Sequence, residues 1–510
     1  MILHWAEQLA AKITERYQPP YIISGGMTTS GPTHFGTVCE FLFPGTIAKV
    51  IEREGKQVKF LFVADIMDAF DKVPIPMEKY NEFLEPHLGK PLCFVPDPTG
   101  KSKSFGEHYL DEAIEIMKEF ELNIEVIKAN EMIENGMYDG DARFFLQNEK
   151  VAKKIVAKTS LRTIDGYWSS IMPLCQKCGK IATTRTLSYN KETDEYEYSC
   201  DRDIGYTKGC GFCGKNKISD HKYKILWRLD WPARTRFLKT NLEGGGIDHH
   251  TRGGSYDTLV GIFREMFKED PPIGYTWGML LFEGKKYSKS KGIGMGIVEL
   301  KELIPMRMIA YMLIKPDLTE NIDIVPTKEN LLKLYDEFER IGKLSDGIKT
   351  NEELEKVERP EQKKVQAYRL CPNKTEWNAP FSDVLLTYMI YRDFEKVKEI
   401  LKDGKGIEYL KPYIKKWVEK DFVPEQYKFS YAGRKTEDED IKKILNDLED
   451  NMGKDEIQNT IFEYSKRNDI SPKEIFQKMY LALIGKERGP KLGNLIYTLG
   501  VAKIKKDFLG

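Results

Sequence analysis

Cysteine is scarce in this chain, with eight in 510 residues, too few for a disulfide scaffold at such a length. Net charge is absent: 79 Lys+Arg balance 79 Asp+Glu, which excludes a histone-like polycation. No run reaches the roughly 18 uninterrupted apolar residues that a membrane span requires, and there is no internal repeat or low-complexity tract. The first twenty residues lack the basic stretch and small-residue cleavage site of a secretory signal. Acids among their apolar positions predict a helix there instead. What is present is the composition of a folded globular protein, 41% hydrophobic and 31% charged. A single core stops growing at roughly 250–300 residues, so the chain divides into several domains. Five of the eight cysteines crowd into residues 175–213, a pattern of metal ligation in a reducing compartment, with the cytoplasm as default.

Residues 20–26 (PYIISGG) form a short β-rich run closed by glycines, followed by a Gly/Ser/Thr/Pro turn and an apolar stretch over 35–51. This predicts strand, phosphate-sized loop and helix, with Pro44 and Gly45 kinking the helix or dividing it. Residues 57–64 (QVKFLFVA) are almost continuously apolar, as a strand buried on both faces of a parallel sheet should be. A helical period over 108–120 and a short strand over 123–129 follow. The character changes between Cys175 and about Asp220, where paired cysteines and short alternating strands predict an inserted module; strand-and-turn patterning returns over 225–296. Beyond Leu300 the periods at 305–314, 330–341, 393–401, 439–451 and 473–484 are helical. The expected fold is therefore α/β, a parallel-sheet domain split by an insertion and followed by an all-α half.

Three constellations carry chemistry. In Thr28-Thr29-Ser30-Gly31-Pro32-Thr33-His34-Phe35-Gly36-Thr37, small residues let the backbone approach a ligand and the following helix offers N–H groups and its positive end to an anion. His34 and Thr37 would sit over phosphates. Lys285-Lys286-Tyr287-Ser288-Lys289-Ser290-Lys291-Gly292 is a cationic loop able to follow charge developing on a polyphosphate. Cys175-Gln-Lys-Cys178-Gly-Lys and Cys210-Gly-Phe-Cys213-Gly-Lys are two copies of one knuckle whose glycine permits the turn that bonds backbone N–H groups to thiolates. They predict a structural Zn²⁺ on Cys175, Cys178, Cys210 and Cys213, with Cys200 able to replace Cys210 or Cys213.

An early H-x-G-x after the first strand and a distant K-x-S-K-S at the end of a split sheet domain resemble the paired signature of the class I aminoacyl-tRNA synthetases. The split sheet, the cysteine insertion, the helical half and Ile484-Gly485-Lys486-Glu487-Arg488-Gly489-Pro490-Lys491-Leu492 narrow the resemblance to the class I lysyl-tRNA synthetases. So do Val95-Pro96-Asp97-Pro98, Leu226-Trp227-Arg228-Leu229-Asp230-Trp231-Pro232, Asp248-His249 and Ser255-Tyr256-Asp257-Thr258. The similarity runs over essentially the whole chain. It implies a Rossmann-type catalytic domain in two parts (1–165 and 223–298), a zinc-binding insertion (166–222), a stem-contact helical region (299–345) and an anticodon-binding domain (346–510).

The resemblance also implies activation of L-lysine by ATP with Mg²⁺, release of pyrophosphate, and transfer of the lysyl group to tRNA(Lys), with no membrane partner. His34, Lys286 and Lys289 would be catalytic; Pro32, Gly36, Thr37, Asp248 and Ser288 would join them in holding ATP. Gly26, Thr28, Trp227, His249 and Tyr275 resemble the family's lysine-binding residues. Asp65 and Asp68, just past the second strand, are further candidates by position, although Asp65 equally suits a helix N-cap. Where the sister glutamyl family keeps an arginine ten residues before the signature histidine, this chain has Ser24, which suits a cation better. Some relatives hold another metal after V-P-D-P; Lys101 and Ser102 stand there here, and none is expected. Three other readings are open: a ligase of the same class for glutamate, a small-acid ligase without tRNA, and a silent RNA-binding paralogue, Phe35 and Thr37 departing from the commonest form of the first signature.

Overall fold

A computed structural model describes residues 4–286, 295–372 and 375–510. Their contacts separate into two units. The first comprises Met1–Val298, Ile309–Ile324 and Ile348–Asn373, the second Glu299–Met308, Val325–Gly347 and Lys374–Gly510.

In the first unit the chain lays down β1 (Tyr21–Met27), β2 (Val58–Ala64) and β3 (Glu125–Lys128). An excursion through β4 (Ile171–Pro173), β5 (Thr184–Asn190), β6 (Glu195–Cys200), β7 (Cys213–Lys217) and β8 (Tyr223–Ile225) follows, before β9 (Leu242–Gly246) and β10 (Ile273–Trp277) return to the first sheet. That sheet is parallel throughout, in the order β10-β9-β1-β2-β3. The chain leaves β1 in one direction and comes back to its other side at β9. Such a reversal opens a crevice at the carboxyl ends of the two strands. Phe60 to Ala64 are buried without alternation, the pattern of a strand covered on both faces.

Two helices frame this centre. In α1 (Trp5–Arg16) His4 is the N-cap, accepting from the Ala6 N–H while Glu7 accepts in turn from the His4 N–H. Of the kink or division expected at Pro44 and Gly45, the division does not occur: α2 runs unbroken over Phe35–Arg53 with Pro44 inside. Proline lacks the N–H that would bond the Glu40 carbonyl and crowds it outward. That carbonyl faces Gly25 of β1, where a Cβ would stand only 2.8 Å from it, so the glycine absorbs the displacement. The helix expected over 108–120 starts earlier, at Phe105, because the Ser104 hydroxyl caps it through the Glu107 N–H at 3.2 Å.

The excursion begins and ends on the antiparallel pair β4–β8 and carries the antiparallel sheet β5-β6-β7. After β10 the strands β11 (Leu280–Phe282), β12 (Lys285–Lys286) and β13 (Ile322–Ile324) make a small mixed sheet. The second unit is helical. Its longest helix, Lys328–Gly347, packs Tyr335 in a stack on Phe381, with ring centroids 3.7 Å apart and Trp417 beside them. Helices Phe394–Leu401, Glu439–Asp447 and Pro472–Ile484 coincide with three of the expected periods, the last stopped by Gly485 at φ 67°. Among the described residues no helix is long and apolar enough to cross a membrane.

Candidate functional site

A cavity of about 530 Å³ opens at the carboxyl ends of β1 and β9. One wall is the start of α2. His34 is its N-cap, Nδ1 accepting the Thr37 N–H at 3.2 Å. An acceptor at Nδ1 leaves the proton of the neutral ring on Nε2. His34 therefore brings a donor to the cavity, beside the backbone N–H groups and positive end of a 19-residue helix. Gly36 is required by this arrangement, since a Cβ there would lie 2.8 Å from His34 Cε1. The loop before it is clamped from behind: Thr29 Oγ1 donates to the Gly106 carbonyl at 2.8 Å and the Thr33 N–H to Glu112 at 2.6 Å.

The floor and opposite wall are acidic. Glu40, one turn into α2, lines the cavity, its carboxyl held well above the usual range by burial and by nearby Glu243, against the pull of Arg234. Glu243 on β9 is buried and accepts from Ser24 Oγ at 2.5 Å and from Trp231 Nε1 at 2.6 Å. Asp230 is pushed up to about 6 by burial, which outweighs Arg234 at 3.7 Å and Lys224. Asp65 and Asp68 line the wall beyond β2. Among the described residues carboxyl groups outnumber cations around this space, a field that favours a positively charged ligand.

Most residues singled out from sequence meet here. Gly26, Thr28, His34, Gly36, Thr37, Asp65, Asp68, Trp227, Asp248 and His249 all line the one cavity. Gly26 lets β1 and β2 close together, since a Cβ would stand 2.7 Å from the Val63 carbonyl. Trp227 stacks on Trp231 with centroids 5.5 Å apart, and His249 holds Ser255 Oγ at 2.7 Å through Nδ1. Burial keeps the His249 pKa below its ordinary value. Two of the residues do not line it. Pro32 stays in the loop behind, and Tyr275 lies beneath the floor, its ring filling the space left by Gly244 and its buried hydroxyl without a hydrogen-bond partner. Ser24 is likewise committed, to Glu243. Asp65 is no helix cap: its carboxylate pairs with Lys224 at 2.5 Å. Ser288 and Lys289 lie outside the described residues, as does the Lys286 side chain, although the Lys286 backbone pairs with Leu281.

Sequence reasoning passed over Glu40, Arg234 and residues 277–280, which also line the cavity. For Glu40 a signal existed: it is the one acid between Phe35 and Ile51, a helical turn from Gly36 and Thr37.

A second cluster lies in the excursion. Sγ atoms of Cys175, Cys178, Cys200 and Cys210 all fall within 4.8 Å of one another, with Cys175–Cys210 and Cys178–Cys200 both at 3.7 Å. Four thiolates about 2.3 Å from one tetrahedral Zn²⁺ stand roughly 3.8 Å apart, so the donor set fits that ion. Cys200 also receives the Cys210 N–H at 3.5 Å, the outer hydrogen bonding such sites use. Of the alternatives the sequence left open, this cluster has Cys200 in place of Cys213, which is outside it and exposed. Its β-register explains why. Cys213 pairs with Ser199 and shares its face, whereas Cys200, one residue on, points to the other side. After V-P-D-P, Asp97 accepts from Thr99, from the N–H groups of Lys101 and Ser102, and contacts His108 at 3.2 Å.

Residues 3–370 match the family described as tRNA synthetases class I (K), and residues 407–506 match an anticodon binding domain. A lysine–tRNA ligase of Archaeoglobus fulgidus is 30% identical, aligned over 99% of this chain and 99% of its own. One from Thermoplasma acidophilum is 30% identical over 99% and 97%, and one from Methanocaldococcus jannaschii 28% over 99% and 98%. A solved glutamate tRNA ligase from Elizabethkingia meningosepticum covers 96% of this chain and 98% of its own at 12% identity, with a TM-score of 0.39.

Proposed function

The chain belongs to the class I (K) tRNA synthetases, and from that membership we propose that it is a lysine–tRNA ligase of the cytoplasm. It joins L-lysine to ATP and passes the lysyl group to tRNA(Lys). The observation that carries this reading is the union, in one cavity, of an anion-binding helix start capped by His34 with a carboxylate-rich floor. ATP, as its Mg²⁺ complex, lays its phosphates against the N-terminus of α2, where His34 Nε2–H donates to them. The lysine ε-ammonium goes toward Glu40, and Thr28, Trp227 and His249 border the rest of the amino acid.

A carboxylate oxygen of lysine then attacks the α-phosphorus. The bond to the bridging oxygen breaks and pyrophosphate leaves with the electron pair. Reactions of this kind depend on alignment and charge stabilisation, which are the roles of His34 and of Lys286 and Lys289. In the second step a hydroxyl of the tRNA's terminal adenosine attacks the lysyl carbonyl and AMP departs. Zn²⁺ on Cys175, Cys178, Cys200 and Cys210 would supply a structural crosslink, fixing the turns around β6 and β7. The helical half binds the anticodon region, with aromatic side chains for unpaired bases and Lys/Arg for phosphates.

Amino-acid-dependent ATP–pyrophosphate exchange across the twenty amino acids, with and without tRNA, tests the reading. Exchange with lysine is expected. Its absence under both conditions overturns the assignment, and exchange with glutamate instead reassigns the substrate.

A further inference from the structure

Asp65 and Asp68 face the cavity from the end of β2 and are the evident partners for a cationic substrate, yet both are already engaged. Lys224, the middle residue of β8, turns inward with its side chain 4% exposed. Its Nζ lies 2.5 Å from Asp65 Oδ2 and 3.5 Å from Asp68 Oδ1. Burying an ammonium is unfavourable unless carboxylates compensate it; here Asp65, Asp68 and Asp230 do so. The cation comes from the exit strand of the cysteine-bearing excursion, 159 residues from Asp65 in sequence.

Hydrogen-bond polarity adds a second, independent observation. Thr28 donates its Oγ1–H to Asp68 Oδ2 at 3.0 Å. A hydroxyl has one hydrogen. With that hydrogen committed to Asp68, the Thr28 oxygen presents only lone pairs to the cavity, the form that accepts from an ammonium. The commitment holds while Asp68 is ionised: burial raises the Asp68 pKa, and a neighbouring cation opposes that rise and favours ionisation. Lys224 is that cation.

We propose that Lys224 is a positioning residue for the amino-acid substrate: it permanently fills the ammonium site between Asp65 and Asp68, directs the substrate's ε-ammonium to Glu40, and through Asp68 keeps Thr28 oriented as an acceptor. The proposal rests on lysine being the substrate. It predicts that a wall with two carboxylates takes a diamino acid in one register only, since the chain's own lysine occupies one of the two places. It also gives the excursion a direct hand in the amino-acid site, because β8 carries the tether.

The test is Lys224→Met beside Lys224→Arg, read as KM for lysine, KM for ATP and the pH profile of lysine-dependent exchange. Lys224→Met is expected to raise KM for lysine about tenfold or more, leave KM for ATP within about twofold, and move the acid limb of kcat/KM upward in pH as Asp68 protonates more readily. Lys224→Arg restores the limb. Other ionisable groups around Asp68 and Lys224 are Asp65, Asp230 with Arg234 on the helix Trp227–Phe237, Tyr138, Glu134 with Cys93, and Asp71 with Tyr206. Because Asp230 is itself pushed up to about 6, Asp230→Asn and Asp68→Asn in the Lys224→Met background decide which carboxyl produces the upward movement of the limb. The proposal requires that Asp68→Asn remove that movement and Asp230→Asn leave it.

Parallel changes in both KM values, or an unmoved limb, would overturn the proposal in favour of a merely structural lysine. Should Lys224→Met fail to fold, Thr28→Val tests the same relay without touching the buried pair; it is expected to raise KM for lysine while Thr28→Ser does not, and equal behaviour of the two overturns the relay. Wild-type exchange run alongside separates the failures: no lysine exchange in wild type refutes the ligase reading, whereas normal wild-type exchange with wild-type-like variants refutes only the role of Lys224.

Discussion

Cys200→Ser is expected to release a metal that Cys213→Ser leaves bound. The two residues differ little in sequence, each a cysteine beside a strand of the same small sheet, and the knuckle repeat favours Cys213. Geometry reverses that order. The Cys178–Cys200 edge of 3.7 Å equals the Cys175–Cys210 edge, and both match the roughly 3.8 Å edge of a tetrahedron of thiolates around Zn²⁺. Cys213 instead approaches Ser199 Oγ at 3.8 Å from an exposed position. Disturbing only the outer hydrogen bonds of such a site costs 10–100-fold in affinity. Loss of a thiolate should therefore cost more than about 100-fold, or about 2.7 kcal/mol, and much of that appears as lost folding stability because the ion organises the module. An exposed Cys213→Ser change stays within about 0.5 kcal/mol. Competition with a chromophoric chelator on the full-length chain, with metal content by atomic emission and a thermal melt of each variant, measures both. Retention of zinc by Cys200→Ser with its loss from Cys213→Ser would refute the geometric reasoning.

His34→Ala is expected to remove a helix cap worth about 1 kcal/mol and to slow pyrophosphate exchange about 100-fold or more; His34→Asn recovers the melting temperature but not the rate, because a capping amide lacks the Nε2–H in that place. Gly25→Ala should destabilise by about 1–3 kcal/mol in urea titrations, since its Cβ meets the Glu40 carbonyl at 2.8 Å. Lysine affinity is expected to strengthen as pH rises from about 5.5 to 7.5. Glu40 and Asp230 have folded-state pKa values above the ordinary range, so the unliganded site holds protons that a bound cation expels. The same groups make the unliganded protein less stable as pH climbs through those raised values. Calorimetry in two buffers of different ionisation enthalpy should register proton release, and Glu40→Gln should diminish it.

Local patterns in the chain were sufficient for much of this. The unalternating QVKFLFVA run could only be a strand covered on both faces, and it became β2 at the heart of a parallel sheet. The periods at 393–401 and 473–484 carry their own stop and start signals in Asp393 and Gly485. His34 and Gly36 belong to one helix start, and their relation is a contact between near neighbours, legible because cap geometry depends on a few consecutive residues. By contrast, a proline and a glycine adjacent in α2 read as a kink or a division. The helix survives because Gly25, on a different element, has no Cβ to oppose the displaced carbonyl.

Sequence by itself determined the element order, the phosphate-sized loop, the presence of a thiol cluster and the candidates for the cavity, because these depend on periodicity, spacing and residue type within short windows. Tertiary structure decided which thiols converge, which carboxylates remain for a ligand and which aromatic lies under the floor. Cys200 displaced Cys213 through strand alternation and the register of β6 against β7. Asp65 was taken by an ammonium far along the chain, and Tyr275 dropped below the cavity because Gly244 on the neighbouring strand leaves room for its ring. Each of these turns on a pairing between distant segments. A side chain's chemistry is written in its type, but its partner, and hence its charge state and availability, is fixed only when the sheet brings remote strands together.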